Sequence, residues 1–299
     1  MNGNKYTKGI AVKSKKTGFT LVELLVALGI VALLAGLLVP ALNVVRNTAR
    51  DAKQRAQFST IELGLSAFKN DYGDYPPSSL TSEGSAGDYC GAQKLAEALV
   101  GWDLLGFHPN SAWRSDGLDE TGGAWSYDPA ETRDADGDGT PDTLDERKGP
   151  YLELATSDAY KLGNSTLGYG LFADTDTLAP NTVILCDVFG AISVKLSTGK
   201  TVKAGAPILY CRANTSEKTI GEIYNVLDNQ AIVLLKQQAD GIEHPLSRDA
   251  NQYEFFYDYI RDPKISARVW PYRPDSYILI SAGADGLYGT GDDIRNFGN

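Results

Sequence analysis

Hydrophobic and polar positions change character twice in the first third of the chain. Residues 1–18 hold Lys5, Lys8, Lys13, Lys15 and Lys16, with no acid and no apolar run. From Phe19 to Val39 the only charged side chain is Glu23, and the only other polar one is Thr20. At helical rise these residues span about 31 Å, close to the ~30 Å hydrocarbon core of a bilayer. The pattern predicts one membrane-crossing helix over 19–40. Past Pro40 it becomes amphipathic. Val45, Ala49, Ala52, Ala56, Ser59 and Leu63 recur at spacings of four and three, and Ile61, Leu65, Phe68 and Tyr72 widen the stripe. The first half of this face is small and suits helix-on-helix packing; the second is bulky and suits docking on a sheet. Helix is therefore predicted over 41–72, with Pro40 loosening rather than ending it. Thr20 to Asp71 would run on the order of 78 Å. Gly73 and the pair Pro76-Pro77 supply the stop.

Beyond the helix, residues 73–149 are loop-rich, with one helical segment predicted at Ala92–Val100. Trp102, Phe107, Trp113 and Trp125 read as a lid over a core edge; an aromatic-lined ligand site is the sharper reading, with no supporting constellation. Strands are predicted at Thr182–Leu185, Ala191–Leu196, Pro207–Cys211 and Ser276–Ser281. Asp228–Gln237 and Asn251–Arg261 read as helices inserted between strands, the first with Asp228 as N-cap.

Charge narrows the partners. Without the five leader lysines, 23 basic side chains face 38 acidic ones, a formal net charge of −15. Such a surface disfavours the nucleic-acid backbone, and no nucleic-acid partner is expected. It suits solubility or capture of a divalent cation. Basic residues flank the apolar span on both sides, so their count gives little orientation bias.

The junction before the apolar run carries the strongest motif. No small-residue A-x-A pattern follows Val39, so a secretory signal peptide does not fit. Gly18-Phe19, with Glu23 four residues on and Pro40 further along, resembles the class III leader of type IV prepilins and of type II secretion pseudopilins. The resemblance implies cleavage after Gly18 by a prepilin peptidase that also N-methylates Phe19. Glu23 and Pro40 then become the fifth and twenty-second mature residues. An acid inside an apolar helix needs a partner. The resemblance supplies the Phe19 ammonium of a neighbouring subunit, which would set filament register. The alternative is that Glu23 lies at the interface and meets water or head groups.

Two Asp-rich loops are candidate calcium sites. Asp134, Asp136, Asp138, Asp142 and Asp145 fall at positions one, three, five, nine and twelve of an EF-hand-like loop, with Gly139 at six. It resembles the free-standing calcium loops of extracellular domains; a solvated acidic loop is the other reading. At the C-terminus, Ser281 to Ile294 mixes four glycines with Asp285, Asp292 and Asp293, oxygen donors suited to calcium rather than a soft metal. This tail resembles the calcium loop of the major pseudopilin of type II secretion. Gly149-Pro150-Tyr151-Leu152 and the turn Asp187-Val188-Phe189-Gly190 resemble two further segments of that family.

Enzymatic motifs fail on inspection. His108 and His244 each adjoin a proline and have no second ligand at useful spacing. Gly199-Lys200-Thr201 lacks the upstream glycine of a phosphate-binding loop, since Val194 stands there. Of the three cysteines, Cys186 and Cys211 fall at predicted strands, and an oxidising compartment would permit a bridge between them, leaving Cys90 free. Spacing alone does not choose the pairing.

The expectation is an α+β, pilin-like chain. A leader (1–18), a transmembrane half-helix (19–40) and an amphipathic half (41–72) precede a loop-rich region (73–149). An antiparallel sheet domain with insertions and a calcium loop (150–299) follows, and the long helix packs on it. The resemblance implies a structural, non-enzymatic subunit of a type II secretion pseudopilus, anchored by a single pass in the inner membrane with its domain in the periplasm. Its partners would be itself, other pseudopilins, the prepilin peptidase, an inner-membrane platform with its secretion ATPase, and an outer-membrane secretin. A type IV pilus subunit for adhesion or DNA uptake, or a membrane-anchored ligand-binding module, are the other readings.

Overall fold

The computed structural model describes residues 18–81, 87–118, 126–127, 142–153, 157–175, 177–190, 192–247 and 254–298. The chain divides into two units, Met1–Thr48 and Ala49–Asn299. Helix α1, Leu21–Tyr72, contributes to both and runs through position 40 as helix.

In the first unit, Leu21–Leu38 has a mean hydropathy of 2.7 and buries nothing. Leu21, Leu25, Leu33 and Leu37 are all exposed. An apolar surface of this extent requires lipid or a protein neighbour.

The second unit is layered. Strands β5 (Leu209–Arg212) and β6 (Tyr277–Ser281) pair antiparallel, with Tyr210 opposite Leu279 and Cys211 opposite Ile278; the short β7 (Ile294–Arg295) adds to β6. Alternate residues face opposite ways. Tyr210, Tyr277 and Leu279 join Phe58, Ile61 and Leu65 of α1 and Leu95 and Leu99 of helix α2 (Gly91–Val100). Leu209, Cys211, Ile278 and Ile280 join a second core with Ile232 and Val233 of helix α5 (Leu227–Asp240) and Phe256 and Ile260 of helix α6 (Glu254–Ile260). The β5–β6 pair is thus buried on both faces, which is why these two strands read as near-continuous apolar runs. Two more antiparallel pairs stand apart: β1 (Ala159–Lys161) with β2 (Val183–Leu185), and β3 (Ile192–Lys195) with β4 (Thr201–Ala204). Helices α3 (Asp142–Asp145) and α4 (Ile220–Ile223) are single turns.

Several expectations need correction. Among the described residues the predicted sheet is three small sheets, and β1, β4 and β7 are strands beyond the expected four. Asp228 is not an N-cap: α5 starts one residue earlier after Val226, and Asp228 is buried in the first turn, accepting from the Ser78 hydroxyl. The helix also runs past Gln237 to Gly241, whose left-handed backbone (φ 68) ends it. On α1, the buried positions among the described side chains are Gln54, Gln57, Phe58, Ile61, Gly64, Leu65 and Phe68, while Ala52, Ala56, Ser59 and Leu63 face outward.

The reason lies across the fold. Gln57 Nε2 donates to the Cys186 carbonyl at 2.9 Å, and the Val188 N–H donates to Gln54 Oε1 at 3.0 Å. The two amides dock α1 on the 187–190 turn, so two polar residues occupy the core-facing stripe. The 149–152 segment is the second dock. The Tyr151 N–H donates to Leu99 O at 2.7 Å, its hydroxyl donates to Asp71 at 2.6 Å, and its ring meets Phe68 edge-on.

Candidate functional site

Gly18, Phe19 and Thr20 precede α1 in non-helical backbone, and all three are exposed. A Cβ added at Gly18 would meet nothing within 4 Å, so this chain's own fold does not demand glycine there. Thr20 and Glu23 form a reciprocal cap. The Thr20 N–H and hydroxyl donate to Glu23 Oε2 at 2.9 and 2.8 Å, and the Glu23 N–H donates back to the Thr20 hydroxyl at 3.2 Å. This capping box satisfies helix-start donors that lipid could not, and it puts the carboxylate where the helix dipole favours it. The Thr-x-x-Glu spacing could have been read from the sequence.

The C-terminal loop joins β6 to β7. Asp285 Oδ1 accepts from the Leu287 N–H at 2.8 Å, and Asp292 Oδ2 accepts from the Asp285 N–H at 2.9 Å. Burial raises the Asp285 carboxyl, and the neighbouring Asp292 adds to the rise. Against its own burial, Asp292 is held below the usual range by bonds from the Thr290 hydroxyl and the Asp285 N–H. The two carboxyls act on one another, Asp292 opposing ionisation of Asp285. Asp293 is engaged elsewhere: Oδ2 accepts from the Gly289 N–H at 2.7 Å and from the Tyr259 hydroxyl of α6, and burial pushes it up to about 6. The structure therefore pairs Asp285 with Asp292 and gives Asp293 a separate partner. Among the described residues, no group of three or more His, Cys, Asp or Glu gathers to hold a metal.

A comparison with protein families matches residues 13–39 to the prokaryotic N-terminal methylation motif. The chain carries a type IV pilin-like prepilin signal. The signal implies processing by a prepilin peptidase, membrane anchoring through the apolar helix and assembly into a pilin-type filament. The match spans Gly18, Phe19 and Glu23, the residues whose geometry is given above. Neither a search of curated proteins nor one of solved structures returned a match.

Away from the prepilin signal, the predicted sites fare differently. Asp134, Asp136 and Asp138 lie outside the described residues. Asp142 and Asp145 bound α3, and Asp145 is exposed. Cys90, Cys186 and Cys211 are all free, buried thiols, so the expected 186–211 bridge is not formed here. The backbone of Cys186 pairs with Pro207, whereas Cys211 lies opposite Ile278 in the β5–β6 pair, with its sulfur accepting from Asn229 Nδ2 at 3.2 Å. Of the expected lid, Phe107 and Trp113 stack at 5.0 Å and pack on Phe68; Trp125 lies outside the described residues. A cavity of about 730 Å³ opens beside Trp102. Its Lys161, Asp103 and Asp116 are engaged within the chain, by two carbonyls, Arg147 and Arg114 respectively.

Sequence reasoning placed Asp187 at the head of a turn but gave its carboxyl no role. It is 2 % exposed, and Oδ1 accepts from the N–H groups of Phe189 and Ala206 while Oδ2 accepts from the Ser281 hydroxyl. Burial pushes it up to about 6. One carboxyl thereby ties the α1-docking turn to the root of the C-terminal loop.

Proposed function

We propose that this chain is a structural subunit of a type II secretion pseudopilus. Cut between Gly18 and Phe19, it assembles through α1 into a periplasmic filament that drives substrates through an outer-membrane secretin. Its role is mechanical and not catalytic. The observation that carries the filament part of this reading is the prepilin signal leading into the exposed apolar segment Leu21–Leu38, whose single charge, Glu23, lies in the first turn of α1. Extraction from the bilayer removes lipid from that surface, and a neighbour's helix replaces it. The neighbour's Phe19 ammonium neutralises Glu23, whose Oε1 is not used by the Thr20 cap. The outward stripe Ala52, Ala56, Ser59 and Leu63 extends the packing surface along α1.

The pseudopilus is favoured over a surface pilus by the resemblance of 149–152 and of the 281–294 loop to the major pseudopilin. Calcium is the cation proposed between Asp285 and Asp292, a hard ion matched to carboxylate and carbonyl oxygens. The test is deletion of the gene in its host. Loss of secreted enzymes with surface pili intact supports the pseudopilus, whereas loss of pili with secretion intact assigns the chain to a pilus.

A further inference from the structure

The chain between β5 and β6 contains α5 and α6, which cover one face of the sheet. Both helices also reach the C-terminal loop. Lys236 of α5 is 2 % exposed, and a buried ammonium is costly unless paired. It pairs with the Asp240 carboxylate one turn on and donates to the Gly286 carbonyl at 3.3 Å. Just after α5, His244 is fully buried. Its Nδ1 accepts from the Tyr288 N–H at 3.0 Å, which leaves Nε2 to donate to Asp240 at 3.3 Å. The Leu246 N–H donates to the Tyr288 carbonyl at 3.1 Å. From α6, the Tyr259 hydroxyl donates to Asp293.

Fit is tight where these elements meet the loop. Gly289 has a left-handed backbone (φ 94), and a Cβ there would lie 2.9 Å from both Phe255 Cε1 and Pro245 Cβ. No side chain other than hydrogen fits without moving the insertion. Tyr288 is fully buried, its hydroxyl donating to the Pro207 carbonyl at 2.5 Å.

We propose that the α5–α6 insertion is an intramolecular clasp that folds the C-terminal loop onto the sheet and keeps it closed when no divalent cation is bound. Lys236 and Tyr259 are its positioning residues, one holding the Gly286 carbonyl and the other the Asp293 carboxylate. Asp285 and Asp292 stay outside the clasp, so a cation there adds to a loop already in place. This inference stands on the loop's own contacts and is independent of the filament reading.

Hydrogen exchange by mass spectrometry on the full chain in detergent, with excess chelator, tests it. The wild-type amides of Tyr288 and Gly289, held by His244 and Asp293, should remain protected. Lys236→Met and Tyr259→Phe should each speed their exchange tenfold or more and leave the β3–β4 hairpin at its wild-type rate. Should Lys236→Met also release the hairpin, the milder Tyr259→Phe decides alone. Free exchange of the wild-type loop in chelator, or wild-type protection in Tyr259→Phe, overturns the clasp.

Discussion

Thr20 and Glu23 cap one another at the start of α1, through three hydrogen bonds between 2.8 and 3.2 Å. The same carboxylate thus caps the start of the helix through Oε2 and leaves Oε1 outside the cap, where the proposed subunit ammonium would bind. Two roles on one side chain can be separated. Glu23→Gln preserves an acceptor for the Thr20 N–H but removes the charge. Gly18 lies outside the helix, so cleavage should continue at the wild-type rate while filament yield falls by at least tenfold. Mass spectrometry of the N-terminus and quantification of sheared filaments check the two arms separately.

Asp187 predicts how stability depends on pH. Asp187, Asp228 and Asp293 are each held up to about 6 by burial, against an ordinary value of 3.8. For a carboxyl raised on folding, the folded state binds the extra proton. The stabilisation is complete below about pH 4 and is lost as pH rises through about 6. Unfolding by urea in detergent should therefore show a higher midpoint at pH 5 than at pH 7.5. Asp187→Asn, which keeps an oxygen for both N–H donors, should flatten part of that slope. Asp187→Ala should cost about 1–3 kcal/mol by leaving those donors unpaired.

Gly205 lies against the same carboxyl. A Cβ there would fall 1.9 Å from Asp187 Oδ1 and 2.1 Å from its backbone carbonyl, which cannot move aside. Gly205→Ala should destabilise by on the order of 3 kcal/mol. A Gly168→Ala control, where a Cβ meets nothing within 4 Å, keeps only its left-handed backbone penalty of about 1 kcal/mol.

The two faces of α1 give opposite expectations. Leu65 is fully buried and Leu63 is 72 % exposed, only two residues away. Leu65→Ala should cost about 2–5 kcal/mol in domain stability. Leu63→Ala should leave stability within about 0.5 kcal/mol and lower filament yield. Equal losses of stability in the two variants would mean that the buried face has been misassigned.

That contrast also shows how far the sequence could be read. Apolar periodicity placed α1 to within a residue of its end, because Tyr72-Gly73 stops it locally. The same periodicity placed Ile61, Leu65 and Phe68 on the buried face but wrongly added Ala52, Ala56, Ser59 and Leu63, which are exposed. Gln54 and Gln57 are core residues only because Val188 and Cys186, distant in sequence, offer backbone partners. Strands β5 and β6 were legible as unbroken apolar runs since helices cover both faces. The three-residue β1 and two-residue β7 carry too few positions to show a period. For the C-terminal loop, glycine and aspartate spacing located the turn but not the clasp. Lys236, His244 and Tyr259 lie far upstream and read as ordinary helix and loop residues until the fold brings them in.

Asp285 and Asp292 give the ion prediction. Calcium at a hundredfold excess over its dissociation constant should stabilise the full chain by about 2.7 kcal/mol, through mass action on the folded state alone. Asp285→Asn with Asp292→Asn should abolish the rise, since neither amide supplies charge. Thermal unfolding with calcium, with magnesium and with chelator makes the comparison; a melting temperature indifferent to calcium would remove the ion from the account.

The most direct measurement is the N-terminus of the mature protein after co-expression with a prepilin peptidase. The account predicts a chain that has lost residues 1–18 and begins with N-methylated Phe19. An intact leader, or cleavage beyond Leu38, would contradict it.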